Sequence, residues 1–370
     1  MKALLSTNIA AILAAVFTAS CGGGGGSSGT PMAAAGMAYA ATGLVADTAA
    51  ATPYGATKVD ANLVNAWGVA FNPQGFAWVA DEGTSVSTLY DGNGVPQTLV
   101  VAIPAGTAGP AHPTGIVFNS TGSFPVSQGP NTAASAFIFA GLAGTISAWA
   151  PSVNATAAVT VVDHAAAGSV YTGLALATSA NGPRLYAADF ANGRVDVYDG
   201  AFTPVALAAG AFQDASLPAG YAPFGIQAIG NTIVVTYAKR DPASGGPLKA
   251  PGNGALDVYD DNGVLQSRMV APGGPLDAPW GVAMAPAGFG PFGGDLLVGD
   301  FGDGQIHAFD PVSGMHAGVL MRSDGSIIAI DGLWGLAFGN GLNAQPTTTL
   351  FFAAGPANET HGAYGRIDVQ

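Results

Sequence analysis

Charged residues are scarce in this sequence, and basic residues are the scarcest. Only 9% of the 370 residues are charged, and 10 Lys and Arg against 23 Asp and Glu give a formal net charge of −13. A protein that binds nucleic acid needs a basic face for the phosphates, so the composition excludes nucleic acid as a partner. Hydrophobic residues make up 49% of the chain, which excludes a disordered protein.

The sequence also has a single cysteine, Cys21, so an intramolecular disulfide is excluded. It has no long hydrophobic run either. The apolar run at residues 9–17, which follows Lys2, is too short to span a bilayer but has the length of a signal-peptide core. Residues 18–21, Thr-Ala-Ser-Cys, resemble the lipobox of bacterial lipoproteins, in which small residues precede a cysteine that becomes lipidated. The resemblance implies a lipid on Cys21. The alternative is an ordinary secretory signal in which Cys21 has no role.

These features predict three regions. We expect residues 1–20 to be a lipoprotein-type signal peptide, residues 21–41 a Gly/Ser-rich tether and residues 42–370 the folded domain. The run of glycine and serine at residues 22–29 has the flexibility that an anchored domain requires. The expected location is the bacterial cell envelope, as a periplasmic or outer-membrane lipoprotein, or the medium after secretion. The lipid is the expected membrane contact.

Glycine is abundant, with 55 residues alongside 25 prolines, which predicts many short strands joined by tight turns. A motif of one glycine followed by alternating residues occurs six times, as in Trp67-Gly68-Val69-Ala70-Phe71. Such alternation indicates a strand. The glycines are 47 to 58 residues apart, a spacing that fits one β-propeller blade per copy. They are Gly68, Gly115, Gly173, Gly225, Gly281 and Gly335.

A second repeated motif marks the third strand of blades 2 to 5. Gly193-Arg-Val-Asp-Val-Tyr198 has close copies that start at Gly144, Gly254 and Gly304. The glycine suits a turn that needs a positive φ, and the alternation places the aromatic residue on a packed face. Outer strands are expected after the third strands of blades 1 to 5, for example at residues 97–103 in blade 1 and 204–208 in blade 3.

The segment Leu185-Tyr-Ala-Ala-Asp189-Phe-Ala-Asn-Gly-Arg-Val-Asp-Val-Tyr198 resembles the NHL repeat of six-bladed β-propellers. The resemblance covers residues 42–370 and implies an all-β fold of six four-stranded antiparallel blades. Residues 62–68 and 84–90 are also similar to a group of exported bacterial propeller proteins of uncharacterised function, some of which carry PEP-CTERM tails.

The last blade lacks one strand in this assignment. Arg366 to Val369 is its third strand, and no fourth follows before Gln370. The otherwise unassigned run Thr42 to Asp47 is apolar and strand-like. We therefore predict that it pairs with Arg366 to Val369 as the outer strand and hides the open edge.

Ligand binding by a propeller is expected at its axis, on the face where the inner strands begin. Four aromatic residues directly precede the repeated glycines and predict an aromatic platform there for a sugar or another flat ligand: Trp67, Phe224, Trp280 and Trp334. The alternative is that these rings wedge neighbouring blades together, since large aromatic residues are usually buried.

Three blades end their second strand in an aspartate, at Asp81, Asp189 and Asp300. A ring of three carboxylates could hold Ca²⁺ or another divalent cation through oxygen ligands. The alternative is that each aspartate accepts hydrogen bonds from the backbone of its own loop. No other cofactor is predicted.

Basic residues are concentrated in one loop, Ala238 to Asn253, which carries Lys239, Arg240 and Lys249. The concentration predicts a flap over the axis with affinity for an anion, and the alternative is a solvated loop. His112 is expected near the same face.

The sequence contains neither a nucleophile elbow nor a phosphate-binding loop, and no paired-carboxylate motif is present. We therefore predict a non-catalytic module that binds a small ligand, a glycan or a protein and acts as a monomer. The alternative is a metal-dependent hydrolase or lyase with Asp81, Asp189, Asp300 and His112 around the axis.

Overall fold

Short antiparallel sheets follow one another along the chain. A computed structural model describes residues 38–50, 53–180 and 182–370, and the statements on structure concern these residues. The first strands of the described residues are β1 (Tyr39–Ala46) and β2 (Lys58–Val59), which pair in parallel. The strands that follow are short as well, because Gly and Pro residues in the connections end each strand after a few residues.

The first three blades are formed by residues 66–199. Blade 1 contains β3 (Ala66–Phe71), β4 (Ala77–Asp81), β5 (Val86–Tyr90) and β6 (Val101–Ala102). Blade 2 contains β7 (Pro113–Phe118), a separate hairpin of β8 (Pro125–Gln128) and β9 (Asn131–Ala134), and then β10 (Phe137–Gly141), β11 (Thr145–Trp149) and β12 (Val159–Asp163). Blade 3 contains β13 (Tyr171–Ser179), β14 (Gly182–Asp189) and β15 (Arg194–Asp199).

The other three blades are formed by residues 221–369. Blade 4 contains β16 (Tyr221–Ile229), β17 (Thr232–Lys239), β18 (Gly254–Tyr259) and β19 (Leu265–Val270). Blade 5 contains β20 (Pro279–Met284), β21 (Leu296–Asp300), β22 (Ile306–Phe309) and β23 (His316–Val319). Blade 6 contains β24 (Leu333–Phe338), β25 (Leu350–Ala354) and β26 (Ala363–Val369). Short helical turns are found in the connections, at Pro53–Gly55, Glu82–Thr84, Ala165–Ala167, Gly290–Phe292 and Pro356–Glu359.

The first strands of the six blades form a closed ring. In order, β3 lies beside β7, then β13, β16, β20 and β24 follow, and β24 returns to β3. Each of them is the innermost strand of its sheet. A closed ring of six such sheets is a six-bladed β-propeller, so the predicted all-β architecture is confirmed.

Hydrophobic clusters fill all six interfaces between neighbouring blades. Between blades 6 and 1, for example, Tyr90 stacks on Tyr364 with ring centroids 5.1 Å apart. Each sheet therefore buries both of its faces, which explains why second strands such as β10 and β25 are apolar at nearly every position. A seventh cluster lies on the axis.

Two outer strands differ from the prediction. In blade 3 the segment 204–208 makes a single bridge, between Tyr198 and Pro204, so this sheet has three strands. Pro204 has no amide hydrogen, and after Val205 donates one hydrogen bond to Val197 the ladder ends. In blade 1 the predicted strand 97–103 is shortened to Val101–Ala102.

Strand β1 occupies the fourth position of blade 6. It pairs antiparallel with β26, with Thr42 opposite Arg366 and Ala46 opposite Ala363. The pairing already starts at Tyr39, so the first strand includes residues 39–41, which the sequence assigns to the tether. Tyr39 is buried and donates a hydrogen bond from its hydroxyl group to the carbonyl oxygen of Phe289 at 3.0 Å, which fixes it in the fold.

Candidate ligand-binding site on the propeller axis

The six repeated glycines mark the place where the inner strands approach most closely. A methyl group at Gly225 would lie 2.1 Å from the carbonyl oxygen of Trp280, and one at Gly335 would lie 2.4 Å from that of Trp67. At the other four glycines a methyl group would meet the backbone of the next inner strand at 3.1 Å or less. Because only a residue without a Cβ permits such contacts, the repeat reflects the closure of the ring.

Threonine hydroxyl groups link neighbouring inner strands beside these glycines. Thr114 donates to the carbonyl oxygen of Tyr171 at 2.8 Å, and Thr172 donates to that of Phe224 at 2.7 Å. Thr236 on β17 makes the same kind of bond to Pro279 at 2.7 Å. These buried hydrogen bonds hold blades 2 to 5 at fixed relative heights along the axis.

Six aromatic rings close the axis on the side where the inner strands begin, and we call them the aromatic plug. Trp334 is at its centre, stacked between Trp67 and Phe301 at centroid distances of 3.5 and 3.9 Å. No ring of the plug is more than 9% exposed. Its members are Trp67, Phe190, Phe224, Trp280, Phe301 and Trp334.

The four aromatic residues predicted as a platform are therefore brought together, but their faces contact one another and not solvent. The indole N–H of Trp280 donates to the carbonyl oxygen of Thr172 at 2.8 Å, and that of Trp334 donates to Oδ1 of Asn65 at 3.1 Å. In this arrangement the rings fill space between blades, which is the second of the two interpretations drawn from the sequence.

Phe190 and Phe301 complete the plug and were not identified from the sequence. Each directly follows the aspartate that ends a second strand, Asp189 or Asp300. The repeated Asp-Phe pair is a signal that could have identified both residues, because it places an aromatic ring at the same height in two blades.

A cavity of about 570 Å³ opens on the axis beyond the glycines, and we call it the axial cavity. The later residues of all six inner strands line it, and most of their side chains are apolar, for example those of Phe71, Phe118, Met284 and Phe338. Of the described residues that line the cavity, Gln227 has the one polar side chain, and it is exposed. Because inner strands pair on one side only, their free backbone edges also face the axis.

Towards the aromatic plug the channel narrows to a space of about 40 Å³. Trp280 and four of the repeated glycines line this space, which has room for no more than a few water molecules. The axial cavity is therefore open at one end and closed at the other.

Polar side chains cover the other side of the plug. Nδ2 of Asn65 donates to Oε2 of Glu82 at 2.7 Å and to Oε2 of Glu359 at 3.2 Å. Nδ1 of His112 lies 2.7 Å from Oε1 of Glu82. Burial raises the pKa of Glu359. Asn65, His112 and Glu359 all have positive φ, at 48°, 50° and 66°, so the surrounding fold holds this cluster in a strained backbone conformation.

The basic loop at residues 238–253 does lie over the plug. Arg240 donates hydrogen bonds to the carbonyl oxygens of Phe190 and Ala191, and Nζ of Lys249 lies 3.7 Å above the ring centroid of Phe301. Lys239 belongs to β17, opposite Tyr221. The charges of Arg240 and Lys249 thus contact the plug and the neighbouring blade, which anchors the loop.

The three predicted metal-binding aspartates are not brought together. Asp81, Asp189 and Asp300 are all fully buried, each in its own blade, where side chains of the second strands point into the blade interfaces. Asp189 accepts the N–H of Val170 at 3.1 Å. Burial raises the pKa of Asp81 and of Asp300 well above the ordinary value. Within the described ranges, the group with metal-ligand geometry contains Asp300 together with Asp303 and His307, and neither Asp81 nor Asp189.

The predicted signal peptide, Cys21 and the tether up to residue 37 lie outside the described residues. Among the residues that the structure does describe, no helix has the length and hydrophobicity needed to cross a membrane.

The fold and the axial cavity define the class of protein: a six-bladed β-propeller closed at one end of its axis. Over 324 residues the chain is 33% identical to an uncharacterized protein of Acanthamoeba polyphaga mimivirus, and the match covers 84% of this chain and 76% of the viral protein. The chain therefore belongs to the family of that viral protein. No family model matches the chain. The resemblance to exported bacterial propellers stays a prediction.

Two solved structures share the fold at 10% identity. One is a protein of unknown function from Bacteroides thetaiotaomicron, with a TM-score of 0.52 over 90% of this chain and 77% of that chain. The other is a catalytically inactive virginiamycin B lyase from Staphylococcus aureus with quinupristin, with a TM-score of 0.50 over 90% of this chain and 99% of that one. At this identity the likeness concerns the fold alone.

Proposed function

We propose that this protein is a non-catalytic binding module that takes an apolar small molecule into the axial cavity. The observation that supports the proposal is the cavity itself, because about 570 Å³ is the size of a small-molecule pocket, and its walls combine apolar side chains with polar backbone edges. Gln227 and the free strand edges would orient the ligand through hydrogen bonds. The aromatic plug closes the far end, so the ligand would enter and leave by the same opening.

The charge of the protein narrows the class of ligand. A net charge of −13 disfavours anionic ligands, and the described residues that line the cavity include no basic side chain. We therefore expect a neutral or cationic ligand with a compact aromatic or aliphatic body.

A fluorescence titration with the neutral apolar probe N-phenyl-1-naphthylamine tests this function. Gln227→Trp places a large side chain in the cavity, and because Gln227 is exposed the variant should fold. Gln266→Trp, at an exposed position on the outer strand β19, is the matched control. We expect saturable binding by the wild type and by Gln266→Trp, and binding at least tenfold weaker in Gln227→Trp. Equal binding by all three proteins, or none by the wild type, would refute the proposal.

We propose further that the propeller is exported and attached to a membrane through a lipid on Cys21. Support comes from residues 18–21 and from the Gly/Ser-rich tether that follows. In a bacterial host, incorporation of a labelled fatty acid should be lost in Cys21→Ser and retained in the control Ser28→Ala. Label that persists in Cys21→Ser would contradict the anchor.

A second candidate function, acid–base catalysis, is favoured by one observation at the polar cluster over the plug. His112 and Glu82 are in contact there. Glu82 and Glu359, whose pKa is raised by burial, both accept a hydrogen bond from Nδ2 of Asn65. An imidazole and two carboxyl groups gathered in one cluster are side chains of the kind that transfer protons in enzymes. The test is a panel of chromogenic esters, lactones and phosphates, in which a turnover lost in His112→Gln would favour an enzyme over a binding module.

A further inference from the structure

Blade 5 contains a cluster of ligand-type side chains away from the axial cavity. Asp300 ends β21, Asp303 lies in the following turn and His307 is on β22. Val298 is opposite His307 in the ladder, so Asp300, two residues further on, lies on the same face of the sheet. One ligand atom from each of Asp300, Asp303 and His307 lies within 4.8 Å of the other two.

Two of these side chains are buried with unused ligand atoms. Asp300 is fully buried and His307 is 4% exposed. Oδ2 of Asp300 accepts the N–H of Asp277 at 3.0 Å, but Oδ1 has no hydrogen-bond partner. Nε2 of His307 also makes no hydrogen bond, although it lies 3.3 Å from Oδ2 of Asp300. Because buried polar atoms rarely stay unpaired, both atoms are candidates to bind a ligand.

A second histidine, His316, contacts the ring nitrogen of His307 that lies away from Asp300. Nδ1 of His307 lies 3.0 Å from Nε2 of His316, an exposed residue on β23. When Nδ1 donates this hydrogen bond, the lone pair of Nε2 is directed towards the two carboxylates. An imidazole whose outer N–H is fixed by a neighbouring group is the usual arrangement of a metal-binding histidine.

We propose that Asp300, Asp303 and His307 bind a divalent transition-metal ion, for which Zn²⁺ is the best fit. One imidazole nitrogen and two carboxylate oxygens form a mixed ligand set that suits Zn²⁺, whereas Ca²⁺ and Mg²⁺ prefer oxygen alone. Asp303 is exposed, so the ion can reach the site from solvent and keep water as a further ligand. The carboxylate of Asp303 also accepts hydrogen bonds from the backbone and side-chain amides of Gln305 at 3.0 and 2.8 Å.

The test is a calorimetric titration of the full-length, tag-free, metal-stripped protein with ZnCl₂, supported by the visible absorption of Co²⁺. We expect one Zn²⁺ per chain with a Kd in the micromolar range or tighter, and a higher Tm with Zn²⁺ present. Asp303→Asn should weaken binding at least tenfold while leaving the Tm of the metal-free protein unchanged, because the side chain is exposed. His307→Gln should abolish binding, and His316→Gln should weaken it about 10- to 100-fold.

Asp324→Asn is the matched control, since Asp324 is an exposed turn residue of the same blade, and its binding should equal that of the wild type. Absence of Zn²⁺ binding by the wild type would overturn the proposal. Undiminished binding by Asp303→Asn would overturn it as well, and this variant decides the question even if His307→Gln fails to fold. Binding of Ca²⁺ as tight as that of Zn²⁺ would contradict the choice of ion.

Discussion

Replacing Gly225 by alanine tests whether the repeated glycines close the ring of inner strands. A Cβ at this position would lie 2.1 Å from the carbonyl oxygen of Trp280 and 2.8 Å from Oγ1 of Thr236. The two strands would have to separate by about 1 Å to restore an ordinary contact. Overpacking of this kind costs about 1–3 kcal/mol. The same movement strains the hydrogen bond from Thr236 to Pro279, worth about 1 kcal/mol.

Alanine also restricts the unfolded chain, which offsets about 0.4–1 kcal/mol of that loss. We therefore expect the free energy of unfolding to fall by about 2–3 kcal/mol in Gly225→Ala. Urea titrations followed by tryptophan fluorescence and circular dichroism measure it. Gly246→Ala is the control, because the nearest atom to a Cβ there is Oγ of Ser244 at 3.5 Å, and its stability should stay within about 0.5 kcal/mol of the wild type. Equal stability of the two variants would refute the reasoning.

Three further predictions concern the plug, the ring closure and a buried acid. Trp334→Ala removes the central ring of the plug and should lower the free energy of unfolding by about 3–5 kcal/mol in a urea titration, and a loss below about 1 kcal/mol would contradict its central place. A chain that starts at Ala56 lacks β1 and should melt at a lower temperature or aggregate, whereas one that starts at Met37 should match the full-length protein; equal melting of both would show that β1 does not hold the ring together. Burial, with the nearby charge of Asp214, raises the pKa of Asp257 to about 7 from its ordinary value of 3.8. The folded protein thus keeps a proton on Asp257 that the unfolded chain releases, so this stabilisation is complete below about pH 4 and is lost as the pH rises to about 7. Asp257→Asn should therefore reduce the fall in the free energy of unfolding between pH 5 and 8, which urea titrations at both pH values measure. An unchanged fall would contradict the role of Asp257.

The repeat was readable from the sequence because ring closure imposes a strict local requirement. Only glycine fits where one inner strand meets the carbonyl oxygen of the next, so residues such as Gly225 and Gly335 recur at the spacing of a blade. The outer strands have no such requirement. Residues 204–208 have the composition of a strand, but Pro204 cannot continue the ladder and blade 3 ends there.

The candidate site was harder to predict because the direction of a side chain depends on neighbouring blades. The sequence shows that Trp67, Trp280 and Trp334 start inner strands, but not that each ring covers the next. The axial cavity is formed by ordinary apolar residues that carry no motif. In the same way, His307 joins Asp300 only because the turn between β21 and β22 brings two same-face positions together.

The central claim is that the axial cavity holds an apolar ligand, and a crystal structure with a brominated apolar probe tests it most directly. Crystals grown with 1-bromonaphthalene and measured at the bromine absorption edge locate the probe without assumptions about its pose. We predict one anomalous peak on the axis, between Gln227 and the glycines of the inner strands. A peak on the outer side of the aromatic plug, or no peak at a saturating probe concentration, would contradict the claim.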